Sequence, residues 1–164
     1  MYNPIDISNY FVHKYGAPEN DITPMKLVKL VYIAYGWHLG ITGKELFSEN
    51  IEAWKYGPVI PSIYNHYKKW GRNPIGKIKD FSDFLPNDVK SFLDKIWDEY
   101  GKYDAIQLSS MTHQKGSPWY IIWNDILKIT NHKSGRINAS IIPSNLIKLY
   151  YQEKLISNKS IPQN

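Results

Sequence analysis

Thr23-Pro-Met-Lys-Leu-Val-Lys-Leu-Val-Tyr-Ile-Ala-Tyr-Gly-Trp-His-Leu-Gly-Ile41 is the stretch on which the fold turns. Thr23 offers an N-cap oxygen, and Pro24 follows at the first helical position, where its missing N–H costs nothing. Leu27, Val28, Leu30, Val31, Ile33, Ala34, Tyr35 and Trp37 then place apolar groups on nearly every face of the helix. A helix that is apolar all round is buried. Residues 24–41 are therefore predicted to form the central helix of the core, ended by the Gly40/Gly43 pair.

Working outward, Ile5 to Tyr15 reads as a first helix stopped by Gly16 and Pro18. Leu46 to Tyr56 reads as a short extended segment, one arm of a small hairpin, with Gly57-Pro58 as a turn. Pro61 starts a short helix through Trp70, closed by Gly71, and Arg72 to Phe84 is a basic loop. Val89, Phe92, Leu93, Ile96, Trp97 and Tyr100 recur at helical spacing after Pro86, with charged residues between, and Gly101 ends that helix. Asp104 to Thr112 is predicted helical with Ile106, Leu108 and Met111 inward. Ser117-Pro118-Trp119 repeats the cap-then-proline device and opens a helix to about Ile129. Asn131 to Gly135 is a turn, Ile137 to Ile142 a short strand, and Pro143 to Leu155 a last helix. The expected fold is mainly α: a compact single domain, residues 1–156, of six to seven helices around a buried central helix with a small β element. Residues 157–164 are expected to fray.

The 164-residue chain is long enough to bury a sizeable core, and its 43% hydrophobic content is globular. Six Trp and 13 Tyr are compatible with either a core or an interface. With no cysteine, disulfides and thiolate metal sites are excluded. Met1-Tyr-Asn-Pro-Ile-Asp6 lacks the basic start and apolar core of a signal peptide. The longest apolar-dominated stretch, Met25 to Leu39, is interrupted by Lys26, Lys29, Gly36 and His38, so no membrane span is expected. The expected location is cytoplasmic.

Glu52-Ala-Trp-Lys-Tyr-Gly-Pro-Val-Ile-Pro61 packs two large aromatics, a base, a Gly-Pro corner and a second proline into one connection. Between Asn50 and Lys79 stand Lys55, Lys68, Lys69, Arg72, Lys77 and Lys79 against Glu52 alone, a surplus that equals the whole net charge of +5. Such a patch suits nucleic acid, an acidic patch on a protein partner, or a plain solvated loop. Eighteen lysines against two arginines weaken the case for reading bases, which favours bidentate Arg. Trp54, Tyr56 and Trp70 have two readings. Either they plug the gap between the central helix and the next one, or at least one is an exposed interface anchor beside Lys55 and Arg72. Gly57 is expected to take a backbone angle that other residues avoid.

No phosphate loop, His-Glu-x-x-His or Gly-x-Ser-x-Gly pattern occurs. His113 lies near Asp104, Ser109 and Ser110 in sequence, but no oxyanion element accompanies it. It reads better as a buried or half-buried hydrogen-bonding residue, and His38 as a satisfied core histidine. The spacing of the five histidines suggests no metal site, and no cofactor is expected.

Two segments resemble a known family. Leu27-Val-Lys-Leu-Val-Tyr32, with Gly43, Leu46-Phe47 and the run Glu52 to Tyr64, is one. Leu108-Ser-Ser-Met-Thr-His113 followed by Ser117-Pro-Trp119 is the other. In order and spacing they look like the Panacea domain, also described as a phage-associated GepA-like or SocA-like antitoxin domain, over roughly residues 8–150. The resemblance implies a mainly helical, non-enzymatic domain that neutralises a toxin by direct protein binding. It maps the family's signature onto Trp54, Lys55, Tyr56, Gly57, Pro58, His113, Pro118 and Trp119.

The expected partner is thus a protein toxin or defence protein, with candidate contacts at Trp54, Lys55, Tyr56, Lys68, Lys69, Trp70 and Arg72. Gly57, Pro58, His113, Pro118 and Trp119 are expected to define the fold. A nucleic-acid-binding regulator using Lys68, Lys69, Arg72, Lys77 and Lys79 is one alternative. A phage counter-defence protein or proteolytic adaptor is another. Oligomeric state is not legible.

Overall fold

The structure, a computed structural model, describes residues 1–78, 81–130 and 140–157. Among these residues are seven α-helices and three short strands: α1 (Pro4–Tyr15), α2 (Pro24–Thr42), β1 (Glu52–Trp54), β2 (Gly57–Val59), α3 (Pro61–Tyr67), α4 (Asn87–Tyr100), α5 (Ala105–Thr112), α6 (Pro118–Thr130), β3 (Ser140–Ile141) and α7 (Ser144–Ile156). Single 3-10 turns cover Pro18–Asn20 and Lys68–Trp70. The mainly α fold expected from the sequence is present. The turn expected at Asn131–Gly135, residues 137–139 of the expected strand, Lys79, and residues 158–164 of the tail lie outside the described residues.

The central helix is where the sequence places it. The Thr23 hydroxyl accepts from the Lys26 amide at 3.3 Å, and Leu27, Leu30, Val31, Ala34 and Trp37 are fully enclosed. Gly40 does not end it. The helix runs on to Thr42 and stops at Gly43, whose φ is +71°. Gly36 and Gly40 instead form the groove in which α7 lies. A Cβ on Gly36 would overlap the Tyr151 ring, and one on Gly40 would sit 2.8 Å from the Tyr151 Cβ. The sequence signal of a stop is here the signature of close helix packing.

α1 and α4 flank α2 and are tied by one carboxylate. Asp94 accepts from Tyr15 at 2.6 Å, Lys14 at 2.7 Å and Tyr10 at 2.8 Å. Partial burial pushes its carboxyl up, but the hydrogen bonds from Lys14, Tyr15 and Tyr10 outweigh this and hold it below the usual carboxylate range. A depressed folded pKa means stability present above the unfolded value and lost as pH falls through the folded one. Asp94→Asn is expected to cost about 1–2 kcal/mol in urea unfolding at neutral pH. An unchanged midpoint would show the cluster to be ornamental.

The loop after α3 is held to the body. The Ile75 amide donates to the Ile22 carbonyl at 2.8 Å, and His13 stacks on Phe81 with centroids 4.3 Å apart. In α5, Leu108 is buried, but Ile106 is 74% exposed, which corrects its inward placement. Positions two apart on a helix point about 200° apart, so Ile106 and Leu108 do not share a face. Among the described residues no helix is long and apolar enough to cross a membrane.

A clamped hairpin with an exposed tip

β1 and β2 pair antiparallel, with Ala53 opposite Pro58 and Trp54 opposite Gly57. The turn is therefore Lys55-Tyr56, two residues before the Gly57-Pro58 corner read from sequence. Gly57 has a φ of +112°, as expected of a residue type chosen for an angle that side chains avoid. Pro58 lies within β2, which is an edge strand in the order β2-β1-β3. On an edge, proline's missing N–H breaks no ladder.

Three helices grip this hairpin by alternate carbonyls. The Trp119 indole on α6 donates to the Trp54 carbonyl at 2.7 Å. The Ser109 hydroxyl on α5 donates to the Tyr56 carbonyl at 2.9 Å. The Lys29 ammonium on α2 donates to the Pro58 carbonyl at 3.0 Å. Each bond comes from an element remote in sequence, so the tip is fixed by tertiary structure rather than by its own two strands.

Lys29 is 2% exposed. Burial alone pulls its amine down to about 7. A Cβ on Gly57 would stand 2.7 Å from the Lys29 Nζ and 3.0 Å from the His113 Nε2, so glycine's bare backbone makes room for both groups. His113 follows α5, half-buried. Its imidazole is held below its ordinary value by burial and by the Lys29 charge, against the opposing pull of the Tyr56 carbonyl. Its ring stacks on Trp119 at 3.8 Å, which stacks on Trp123 at 5.6 Å. Nε2 is buried without a close hydrogen-bond partner, and the ring is held by stacking together with the Tyr56 carbonyl. His38 is half-buried, and its Nδ1 lies 2.9 Å from the Lys44 carbonyl oxygen.

The triad conceivable from sequence is not assembled. Ser109 is committed to the Tyr56 carbonyl, and Asp104 caps α5 by accepting from the Gln107 amide at 2.7 Å. Among the described residues no three His, Asp or Glu side chains converge as metal ligands.

The clamp leaves the tip outside. Tyr56 is 60% exposed, and the Lys55 ammonium lies 5.4 Å from its ring centroid. A cleft of about 460 Å³ opens on one side, walled by Met25, Val28, Trp54 and Tyr64. Another of about 650 Å³ opens on the other, walled by Met25, Arg72, Ile106 and His113. Tyr56, Met25, Tyr64 and Ile106 thus form an apolar surface rimmed by exposed Lys55, Lys68 and Arg72.

Of the other residues singled out from sequence, Trp54 is half-buried. Its indole donates to Glu52 at 2.7 Å, and its ring meets Tyr64 edge-on at 4.8 Å. Trp70 is half-buried and covers Gly76, where a Cβ would be 2.7 Å from its ring, so it packs the following loop rather than the central helix. Lys69 is exposed, and Pro118 is buried. Met25, Lys29, Ser109 and Ile106 were not legible as parts of this site. Lys29 looked like an interruption of an apolar run, and its residue type inside a buried helix was the one available signal.

Residues 27–120 match the family described as antitoxin SocA-like, Panacea domain. The chain belongs to that family. Antitoxin SocA of Caulobacter vibrioides (strain NA1000 / CB15N) is 29% identical over 129 residues, covering 72% of this chain and 69% of its own length. No solved structure matches. All six residues of the three clamping bonds fall inside the matched segment. In this Panacea chain the two signature segments quoted above are the two halves of one clamp.

Proposed function

We propose that this Panacea domain is a non-catalytic antitoxin of the bacterial cytoplasm that neutralises a protein toxin by direct binding through the hairpin tip. The observation that carries the reading is Tyr56, a large aromatic 60% exposed on a turn whose backbone three helices hold in place. A rigid exposed aromatic gives up little conformational entropy on binding, and Tyr is a frequent interface anchor. The basic rim at Lys55, Lys68 and Arg72 favours a toxin with an acidic face and would speed encounter. The family membership and the name of the Caulobacter relative support an antitoxin role.

The test is co-expression and pull-down with the product of the neighbouring gene, followed by titration of variants. Tyr56→Ala is expected to weaken binding by about tenfold or more while circular dichroism stays helical. Lys55→Glu is expected to slow association, an effect that fades at high salt. Retained affinity in Tyr56→Ala would move the partner surface elsewhere.

Exposed Lys68, Lys69 and Arg72 also suit phosphate, which keeps the nucleic-acid regulator as a second reading. It requires retardation of duplex DNA in a low-salt gel shift, lost steeply as salt rises. A phage counter-defence protein or proteolytic adaptor would use the same surface. Disappearance of the bound toxin in protease-competent cells would mark the adaptor.

A further inference from the structure

Tyr56 stands between two clefts and walls both of them, together with Met25 and Gly71. Met25, Tyr64 and Ile106 around it are exposed as well. Each comes from a different element: the first turn of α2, then α3 and α5. Exposed apolar groups that converge from three helices on one spot mark an interaction site, whereas the same groups scattered singly would carry no message.

The charges there are of one sign. Lys55 and Lys68 stand at the first cleft and Arg72 at the second, all three exposed, and neither cleft has an aspartate or glutamate in its wall. Among the described residues none of the three is in an ion pair. Lys68 donates to the Asn65 side chain at 3.1 Å, and Lys55 lies over the Tyr56 ring. Both contacts are to neutral groups and leave the charges uncompensated.

Shape decides the form of the partner. A flat face of a folded protein set down on the tip would rest on Tyr56 and leave both clefts empty. Filling them takes side chains that pass Tyr56 on either side, and one length of chain crossing the tip supplies both. Each cleft has the volume of an ordinary small-molecule site and takes one apolar side chain.

We propose that the partner engages the tip through a short linear segment of its chain, acidic overall, with two apolar side chains that straddle Tyr56, one in each cleft. Its carboxylates meet Lys55, Lys68 and Arg72, and the same three charges repel a basic segment. Nucleic acid would satisfy the charges and stack a base on Tyr56, but it brings no aliphatic group to walls of Met25, Val28 and Ile106. This inference rests on the reading of the tip as the partner surface and adds the form of what the tip grips.

The experiment pans a phage library of random peptides, about a dozen residues long, against the full chain, with the Tyr56→Ala chain as counter-selection. Recovered peptides are synthesised and titrated by fluorescence anisotropy and NMR. The expected peptides are rich in Asp and Glu, carry two apolar residues, and shift amides in both clefts, near Met25 and Tyr64 and near Ile106. Tyr64→Lys and Ile106→Lys should each weaken their binding by about tenfold. Replacing the peptide carboxylates by amides should weaken it by about tenfold and flatten its salt dependence. Any of four results would overturn the proposal: no enrichment that depends on Tyr56, recovered peptides without an acidic excess, shifts confined to one cleft, or a deoxythymidine strand binding the tip as tightly as the best peptide. The neighbouring gene's product is pulled down in parallel. Its capture through Tyr56 with no peptide bound would sink the linear segment and leave the antitoxin reading standing. Peptides bound without capture of that product would do the reverse.

Discussion

Gly57→Ala is expected to cost about 2–4 kcal/mol of folding free energy, whereas Gly116→Ala is expected to cost only about 1 kcal/mol. Both glycines have positive φ, +112° and +84°, so both substitutions carry backbone strain. They differ in surroundings. Nothing lies within 4 Å of a Cβ on Gly116, while one on Gly57 meets Lys29 and His113 at 3.0 Å or less. Lys29 has little room to retreat, being buried and bonded to the next carbonyl along the hairpin. The excess cost at Gly57 therefore measures how tightly the clamp fits. Urea unfolding of the two variants checks it, and equal losses would mean that the hairpin yields freely. Because the tip rides on this corner, Gly57→Ala should also weaken partner binding although Gly57 itself is buried.

Stability that climbs with pH above neutrality is the second large effect expected. The Lys29 amine titrates at about 7 in the folded chain, against 10.5 for a free lysine. Below about pH 7 both states hold the proton, and the folded state carries the full cost of a buried charge. From there up to 10.5 the unfolded chain holds a proton that the folded chain has released, so stability rises with pH across this window. The rise amounts to a few kcal/mol, on the order of 1.4 kcal/mol for each unit of depression at most. Burial lowers Lys26 as well, which adds in the same direction. Above about pH 10 the sign reverses. Burial raises the phenols of Tyr32 and Tyr151, so the unfolded chain loses those protons first. The stability maximum is thus expected near pH 10, more alkaline than is usual for a globular domain. Lys29→Met should remove most of the slope between pH 7 and 9, leaving the Lys26 share. A slope unchanged in that variant would assign the effect to another group.

The helices were legible because their signals are local. Thr23 and Ser117 cap the helices they precede, as Ser117 shows by accepting from the Tyr120 amide at 3.1 Å. The apolar repeat from Val89 to Tyr100 reports one helix's own faces. Other residues carried signals with two meanings. Glycine at positions 36 and 40 stands equally for a stop or a close approach, and only α7 lying against them decides between the two. A proline after a glycine stands for a turn or an edge strand, and the pairing of β1 with β2 makes it the latter. Trp70 and Tyr56 are alike as residue types, yet one folds over Gly76 and the other projects.

By itself the sequence determined an oily central helix with amphipathic partners, and a stiff aromatic segment bearing the family's signature. Those features follow from periodicity, capping and residue type over a few turns of chain. Tertiary structure alone decided that Lys55 and Tyr56 form the exposed tip and that Lys29, Ser109 and Trp119 hold it. The three bonds that do so join residues 29, 53 and 65 positions apart. Which side chain is left facing water at the end of such a clamp depends on where three separate helices converge, and no local pattern carries that information.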